Sequence, residues 1–205
     1  MRNFAVIDVE TSGLSPQRGR IVEIGVLLAN REGRELERFE TLVNPGGSVG
    51  ATSIHGITQE MVLHAPFFHE IIGDIAELMK DAVLVAHNVP FDKGFLFEEF
   101  SRCGFHPQDL PTLCTLKLSR TYLSHLPSKS LKALCLHYGI DQGLAHSALD
   151  DCRSALALLM HLKRELEQRA VSLESQVSGS QRFAWPDVPP GGRIRRRSDL
   201  PGHSC

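Results

Sequence analysis

The sequence has 205 residues, 42% of them hydrophobic and 22% charged, which predicts a globular protein with one main domain and a substantial core. No apolar run reaches the ~20 residues of a membrane helix, and Asp8 interrupts the N-terminus before the apolar core of a signal peptide could form. The five scattered cysteines argue against a disulfide framework or a zinc site. We therefore expect a cytoplasmic protein with no membrane contact. A net charge of −2 is not typical of a protein that binds a long duplex through a basic surface. If this protein binds nucleic acid, we expect it to contact only a short end.

The predicted elements indicate an α/β domain. Three apolar stretches come first and are typical of an antiparallel meander: FAVIDVE, RIVEIGVLLAN and ELERFETLVNP. A helix, a buried strand and a second helix follow, in the stretches PFFHEIIGDIAELMK, DAVLVAH and FDKGFLFEEFSRCG. The last three candidates are a fifth strand and two helices, in LPTLCTLKLSR, SKSLKALCLHYG and SALDDCRSALALLMHLKRELEQ. The predicted order is therefore βββαβα(β)αα.

The composition changes at about Val171, where the chain becomes rich in Ser, Pro, Gly and Arg. We therefore predict a folded domain over residues 1–170 and a disordered tail over residues 171–205. Within the tail, RIRRR could contact nucleic acid or an acidic partner, and Phe183 with Trp185 could form a docking peptide. A solvated tail with neither role is the simpler interpretation.

Asp8 and Glu10 lie at the end of the first predicted strand. Side chains alternate along a strand, so both carboxylates lie on one face, and no basic residue follows them before Arg18. Adjacent like charges are destabilising unless a proton or a cation lies between them. The pair alone leaves open whether a proton or a bound cation removes this repulsion.

Two further acids lie where a metal site would need them. HNVPFD follows the strand VLVAH, which places Asp92 at the carboxyl edge of the sheet, where open α/β sheets bind ligands. AHSALDD opens the last helix, where Ser147 and Asp150 fit a capping pattern that leaves Asp151 available as a ligand. Taken singly, each acid is more often a solvated or capping residue. Four acids together, each at the end of an element, favour a metal centre.

The type of ligand indicates the metal and the chemistry. Four carboxylates without a sulfur or imidazole cluster favour Mg²⁺ or Mn²⁺. Two such ions ~3.5 to 4 Å apart could hold the attacking and leaving oxygens of a phosphodiester. His146 would then act as the general base, because an ordinary histidine pKa of ~6.5 suits proton transfer at neutral pH.

Three motifs carry a family resemblance. DVETSGL, HNVPFD and HSALDD, in this order, resemble the exonuclease motifs of the DEDDh, or DnaQ-like, family. Residues 1–165 are similar to the proofreading epsilon subunits of bacterial DNA polymerase III and their stand-alone relatives. The resemblance implies an RNase H-like fold with a central mixed five-stranded sheet flanked by helices. It also implies two divalent ions, Mg²⁺ or Mn²⁺, and five catalytic residues: Asp8, Glu10, Asp92, His146 and Asp151.

The same resemblance implies contacts to the terminal nucleotide. Six residues are implied: Thr11, Gly13, Leu14, Ile54, His55 and Asn88. In the family, the position of Leu14 packs on the terminal base, Ile54 and His55 lie against the 3′ nucleotide, and Asn88 supports the substrate or the loop. For three of them an alternative stays open, because Leu14 and Ile54 could be core residues and His55 a turn histidine bonded to the backbone.

The function implied by the resemblance is metal-dependent 3′ to 5′ exonuclease activity on single-stranded or frayed DNA, with release of nucleoside 5′-monophosphates. Any polymerase or repair partner would act in trans. RNA is the alternative substrate, because only a few contacts sense the 2′-OH. A nucleotidase or phosphatase would share the same site. A non-catalytic binding or scaffold module would lack an acid or the histidine, and all five residues are present.

Overall fold

The computed structural model describes residues 2–143, 147–180 and 186–189. Five strands form one mixed sheet in the order β3-β2-β1-β4-β5. Its first three strands are antiparallel, whereas β4 runs parallel to β1 and β5 runs parallel to β4. This architecture confirms the predicted α/β fold with three antiparallel strands first. The strands are β1 (Phe4–Thr11), β2 (Ile21–Ala29), β3 (Glu35–Leu42), β4 (Val83–Ala86) and β5 (Thr112–Cys114).

Seven helices are present in the described part of the chain, together with a 3₁₀ helix at Leu173–Gln176. They are α1 (Thr52–His55), α2 (Gln59–Val62), α3 (Phe68–Met79), α4 (Val89–Arg102), α5 (Thr115–Tyr122), α6 (Leu131–Tyr138) and α7 (Ala148–Gln168). The sequence predicts α3, α4, α6 and α7, but not α1, α2 or α5. Each of α1 and α2 has only four residues, which is too short to show a helical period. Across the described ranges, no helix combines the length and hydropathy that crossing a membrane requires.

The two faces of β1 enter different parts of the core. Ala5, Ile7 and Val9 pack with residues of α3 and α4, whereas Phe4 and Val6 pack with leucines of α5, α6 and α7. Because side chains alternate along a strand, Asp8 and Glu10 continue the face that α7 covers. The period of two thus sets the side of the sheet on which the carboxylates lie.

The start of α7 lies directly on β2. Gly25 pairs with Asp8 across the β1-β2 ladder, and a Cβ at Gly25 would lie 2.6 Å from the carbonyl carbon of Ala148. Cys152 Sγ also donates a hydrogen bond to Gly25 O at 3.4 Å. Because only glycine leaves room for this approach, Gly25 allows the first turn of α7 to lie against β1 and β2.

Side-chain contacts further fix the first turn of α7. Ser147 Oγ accepts a hydrogen bond from the backbone N–H of Asp150, as the capping pattern predicts. The same hydroxyl donates to Glu40 Oε1 of β3 at 2.8 Å. The Asp150 carboxylate pairs with Arg153 Nη1 at 2.8 Å. The two adjacent aspartates therefore have different surroundings, and Asp151 is the one that faces β1.

The chain continues to pack against the domain after residue 170, where the composition predicts its end. Thr112 and Ser178 exchange two backbone hydrogen bonds of 2.8 and 2.9 Å at the edge of β5. Leu173 is buried, and Glu174 forms an ion pair with Arg31. Residues 171–180 thus form an extension of the domain, held by apolar side chains that the Ser-rich composition conceals. RIRRR, Phe183 and Trp185 lie outside the described residues.

Candidate active site

Three carboxylates meet at the carboxyl end of β1. Asp8 and Glu10 come from the strand itself and Asp151 from the first turn of α7, and one ligand oxygen of each lies within 4.8 Å of the others. All three side chains are half-buried at an edge that the solvent reaches. This spacing is that of a carboxylate cluster able to bind a divalent cation.

The fourth predicted ligand, Asp92, lies beside this cluster in the first turn of α4 and is only 4% exposed. Burial raises the pKa of its carboxyl group, and the nearby backbone N–H groups of Asp92 itself and of Val9 offset part of this rise. The Asp92 carboxylate is thus close to the strand residue that separates Asp8 from Glu10. The negative charge of Asp92 acts on Asp8, so the fourth acid belongs electrostatically to the same cluster.

The acids of the cluster hold protons more tightly than ordinary carboxyl groups. Burial raises the pKa of Asp8 well above its usual value, and the charges of Asp92, Asp151 and Glu10 raise it further. Burial, followed by the charge of Asp151, raises the pKa of Glu10 to about 7. Burial likewise raises the pKa of Asp92 to about 8. Acids crowded in this way favour a proton or a cation among them, and the all-oxygen donor set fits Mg²⁺ or Mn²⁺.

A fifth acid, Glu23, was missed by the sequence analysis. It lies on β2 opposite Glu10 and is fully buried, and its charge adds to the raised pKa of Asp8. The sequence does contain a signal for it, since Glu23 is an acidic residue within the otherwise apolar strand of RIVEIGVLLAN. A charged residue is rarely buried without a specific role. The negative charge of the site therefore extends beyond the four predicted ligands.

Leu14 and Ile54 are both exposed, by 86% and 64%. Neither is therefore the core residue that the alternative interpretation would require. The segments that carry them adjoin, since a Cβ at Gly50, which precedes α1, would lie 2.0 Å from the backbone oxygen of Ser12. Two large apolar side chains are thus presented to solvent by adjoining segments, one of which directly follows β1.

The other predicted nucleotide contacts have different surroundings. His55 is 5% exposed, and its Nδ1 accepts a hydrogen bond from Ile57 N at 3.0 Å, which is the geometry of the turn histidine. Thr11 Oγ1 donates to Gly13 O at 2.8 Å, so these two residues shape the turn after β1. Asn88 is exposed at the start of α4, and its side chain makes no capping hydrogen bond. His146 lies outside the described residues.

A buried ion-pair network connects the loop after β1 to α4. Glu99 of α4 is 1% exposed and accepts from Arg20 Nε at 2.7 Å and Arg20 Nη2 at 3.0 Å. It also accepts from Arg102 Nη1 at 3.2 Å and from the backbone N–H of Ile21 at 3.2 Å. Arg102 in turn donates to the backbone oxygen of Pro16 at 2.7 Å. The network holds the loop that presents Leu14 against the helix that carries Asp92.

Comparison with known proteins identifies a family for most of the chain. Residues 5–159 match the family model RNase_T, described as exonuclease. The chain is 35% identical over 171 residues to the PolC-type DNA polymerase III of Oceanobacillus iheyensis, and 30% identical over 177 residues to that of Staphylococcus haemolyticus. These matches cover 82% and 85% of this chain, but only 12% of each polymerase.

Solved structures agree with this assignment. Exonuclease X, in complex with 5′ overhanging duplex DNA, superposes with a TM-score of 0.63 at 29% identity, over 84% of this chain and 96% of that one. A structure of exonuclease I superposes with a TM-score of 0.72 over 82% of this chain and 42% of that one, and at 20% identity it supports the fold alone. The chain therefore belongs to the RNase_T family of DnaQ-like exonucleases, as its three motifs predict.

Proposed function

We propose that this domain is a metal-dependent 3′ to 5′ exonuclease that acts on single-stranded or frayed DNA and releases nucleoside 5′-monophosphates. The observation that carries the proposal is the convergence of Asp8, Glu10 and Asp151 within 4.8 Å, with Asp92 beside them, in a chain of the exonuclease family. A cluster of this kind is suited to a phosphodiester, whose hydrolysis by nucleases commonly uses two metal ions.

The proposed mechanism divides the work between bound ions and side chains. Divalent ions at Asp8, Glu10, Asp92 and Asp151 would supply Lewis-acid activation of water and stabilisation of the leaving oxygen. Burial raises the pKa of Glu10 to about 7 and that of Asp92 to about 8, so these carboxylates would release their protons near neutral pH on holding an ion. His146, assigned from the third motif, would accept the proton of the attacking water.

Leu14 and Ile54 would select a chain end. Their exposed side chains can pack on the terminal base, and this burial of apolar surface would favour a nucleotide that is free of its neighbours. Asn88 has an exposed amide at the start of α4 that could hydrogen-bond the same nucleotide. A base-paired end would first have to fray, which suits single strands and mismatched ends.

The relatives favour DNA as the substrate. The polymerases that match are named as DNA polymerases, and the structure at 29% identity is a complex with duplex DNA. A 3′-exonuclease that recognises a histone mRNA stem-loop superposes with a TM-score of 0.68 at 19% identity, so it shares the fold alone. The matching region is a small part of each polymerase, so we propose a proofreading or repair role beside a polymerase.

Digestion of end-labelled strands tests this proposal. The substrates are matched single-stranded DNA and RNA labelled at the 5′ or the 3′ end, incubated with Mg²⁺, Mn²⁺ or EDTA. We expect 5′-labelled DNA to shorten stepwise and the 3′ label to leave as a mononucleotide, only with metal. The His146→Ala protein should lose this activity, whereas an Asp150→Asn control should keep it. Shortening from the 5′ end, or cleavage in EDTA, would refute the proposal, and faster digestion of RNA would reassign the substrate.

A further inference from the structure

The charge of the domain is distributed unevenly. Residues 110–140 contain four Lys or Arg residues and no Asp or Glu, whereas the rest of residues 1–170 contains 13 basic and 21 acidic residues. The four basic residues of this segment are Lys117 and Arg120 on α5, Lys129 in the following loop and Lys132 on α6. Together they are called the basic face below. The small net charge of the whole chain conceals this segment.

The basic face is available for an external partner. Lys117, Arg120 and Lys132 are exposed, and Lys129 is half-buried. Within residues 2–143, 147–180 and 186–189, none of the four forms an ion pair. Of the 13 other basic residues in residues 1–170, seven form ion pairs: Arg20, Arg31, Arg38, Lys93, Arg102, Arg153 and Arg169. Positive charges that the fold leaves without acidic partners attract anionic ligands.

The basic face lies on the side of the sheet that holds the carboxylates. Leu118 of α5 and Leu134 of α6 belong to the same core cluster as Leu149 of α7. This cluster covers the face of β1 to which Phe4 and Val6 contribute, and Asp8 and Glu10 continue that face. The helices that carry the basic face and the metal-site acids are therefore on one side of the sheet.

The basic face also adjoins the carboxyl edge where the active site lies. His87 directly follows β4, one residue before Asn88. Its Nδ1 lies 2.9 Å from Thr115 Oγ1 at the start of α5, and its Nε2 lies 2.9 Å from Lys129 O. Burial lowers the pKa of His87, and the charge of the nearby Arg120 lowers it further. His87 thus connects the carboxyl edge of the sheet to α5 and to the loop that carries Lys129.

We propose that Lys117, Arg120, Lys129 and Lys132 bind the phosphodiester backbone of the single strand whose 3′ end occupies the active site. The proposal rests on the proposed exonuclease function and adds a second contact region for the same substrate. Arg120 is five residues beyond Thr115, or ~7.5 Å along the helix axis, so the face continues away from the strand edge. Backbone contacts of this kind are sequence-independent, as an enzyme that removes successive nucleotides requires.

Variants in which neutral side chains replace the basic ones test this inference. The test variant combines Lys117→Gln, Arg120→Gln and Lys132→Gln. The matched control combines Arg34→Gln, Lys80→Gln and Arg164→Gln, three exposed residues at other places. Arg34 lies in the β2-β3 turn, Lys80 precedes β4 at the amino edge, and Arg164 lies 13 residues, or ~20 Å, along α7 from Asp151. Both variants remove the same charge, so a general electrostatic effect would be equal in the two.

Two substrates distinguish the contribution of the basic face from that of the catalytic site. One is an oligothymidylate of about 12 nucleotides, which is long enough to extend beyond the active site. The other is the p-nitrophenyl ester of thymidine 5′-monophosphate, which carries one phosphate and cannot reach the basic face. We expect the test variant to raise the KM for the oligothymidylate about tenfold or more at low salt. We expect it to leave kcat and KM for the ester unchanged.

Salt dependence gives an independent readout. Binding of the oligothymidylate is measured in the Asp151→Asn background, where the strand is not degraded. Each lost phosphate contact reduces the slope of log Kd against log salt by about 0.7 for a single strand, so three contacts reduce it by about 2. The control variant should keep the wild-type slope. A test variant with wild-type KM and slope would overturn the inference and favour an acidic protein partner for this surface. Failure of the exonuclease proposal is distinguishable, because the wild-type protein would then digest neither substrate.

Discussion

The substitution Asp92→Asn should stabilise the metal-free protein at alkaline pH while removing its response to metal. Asp92 is buried beside Asp8, and burial raises its pKa from 3.8 to about 8. Between these two values the folded protein binds a proton that the unfolded chain releases. The free energy of unfolding therefore falls as the pH rises through this window. Asparagine keeps the shape and one acceptor oxygen but carries no charge.

The magnitude follows from protonation linkage. A tenfold change in proton affinity corresponds to about 1.36 kcal/mol, so between about pH 5 and about pH 8 the ionisation of Asp92 costs the folded state on the order of 3 kcal/mol. The stability of the variant relative to the wild type should grow by this amount over the same interval. His87, whose burial lowers its pKa, contributes with the opposite sign, but equally in both proteins.

Urea unfolding in EDTA at the two pH values measures this difference. At the higher pH, Mn²⁺ should stabilise the wild type and leave Asp92→Asn nearly unchanged, because ligands that bind only the folded state raise its stability. Asp150→Asn is the matched control, since that carboxylate pairs with Arg153 and lies outside the cluster. A stability difference between variant and wild type that stays constant with pH, or equal Mn²⁺ stabilisation of both proteins, would refute the role assigned to Asp92.

Three further predictions concern single substitutions, two of them with a matched control. Asp151→Ala should abolish turnover in oligonucleotide digestion, whereas Asp150→Ala should keep it; the reverse pattern would mean that the third motif is misaligned. In urea unfolding, Asp150→Ala should lose at most about 1 kcal/mol, because it removes the ion pair with Arg153 and a negative charge in the first turn of α7 but keeps the backbone N–H that Ser147 caps. Glu99→Ala should lower the free energy of unfolding in urea by on the order of 3 kcal/mol, because it leaves two arginines and a backbone N–H without their acceptor. A loss below about 1 kcal/mol would contradict this expectation. Gly25→Ala should push α7 away from β2, lower stability by about 1 to 3 kcal/mol and weaken Mn²⁺ binding. The Gly47→Ala control has open space around its Cβ, so equal effects of the two changes would count against the close approach at Gly25.

Local signals account for the elements that the sequence predicts. The period of two in FAVIDV sets both core faces of β1 and the common face of Asp8 and Glu10. Ser130 and Gly139 bound α6 as an N-cap and a left-handed C-cap, which matches the prediction of a capped helix. These features depend on neighbouring residues alone, so a single sequence is enough to predict them.

Other features depend on contacts between distant segments. The strand β5 ends at Cys114 and α5 begins at the next residue, Thr115. The side chain of Cys114 makes no capping hydrogen bond, so no local signal marks the boundary between strand and helix. The burial of Glu23 and the packing of residues 171–180 arise from tertiary neighbours. The basic face is hidden by averaging, because the acidic residues elsewhere in the domain outnumber its four charges. Composition describes the chain as a whole and cannot resolve which surface carries the charge.

The most direct test of the proposed metal site is calorimetric titration of Mn²⁺ into the wild type, Asp8→Asn and His146→Ala at about pH 7.5. The acids at the ends of β1, α4 and α7 should give saturable binding that Asp8→Asn loses. His146→Ala should bind Mn²⁺ but fail to digest DNA, because its proposed role is proton transfer. Equal Mn²⁺ affinity in the wild type and Asp8→Asn, or no saturable binding to the wild type, would contradict the assignment of this cluster as the metal centre.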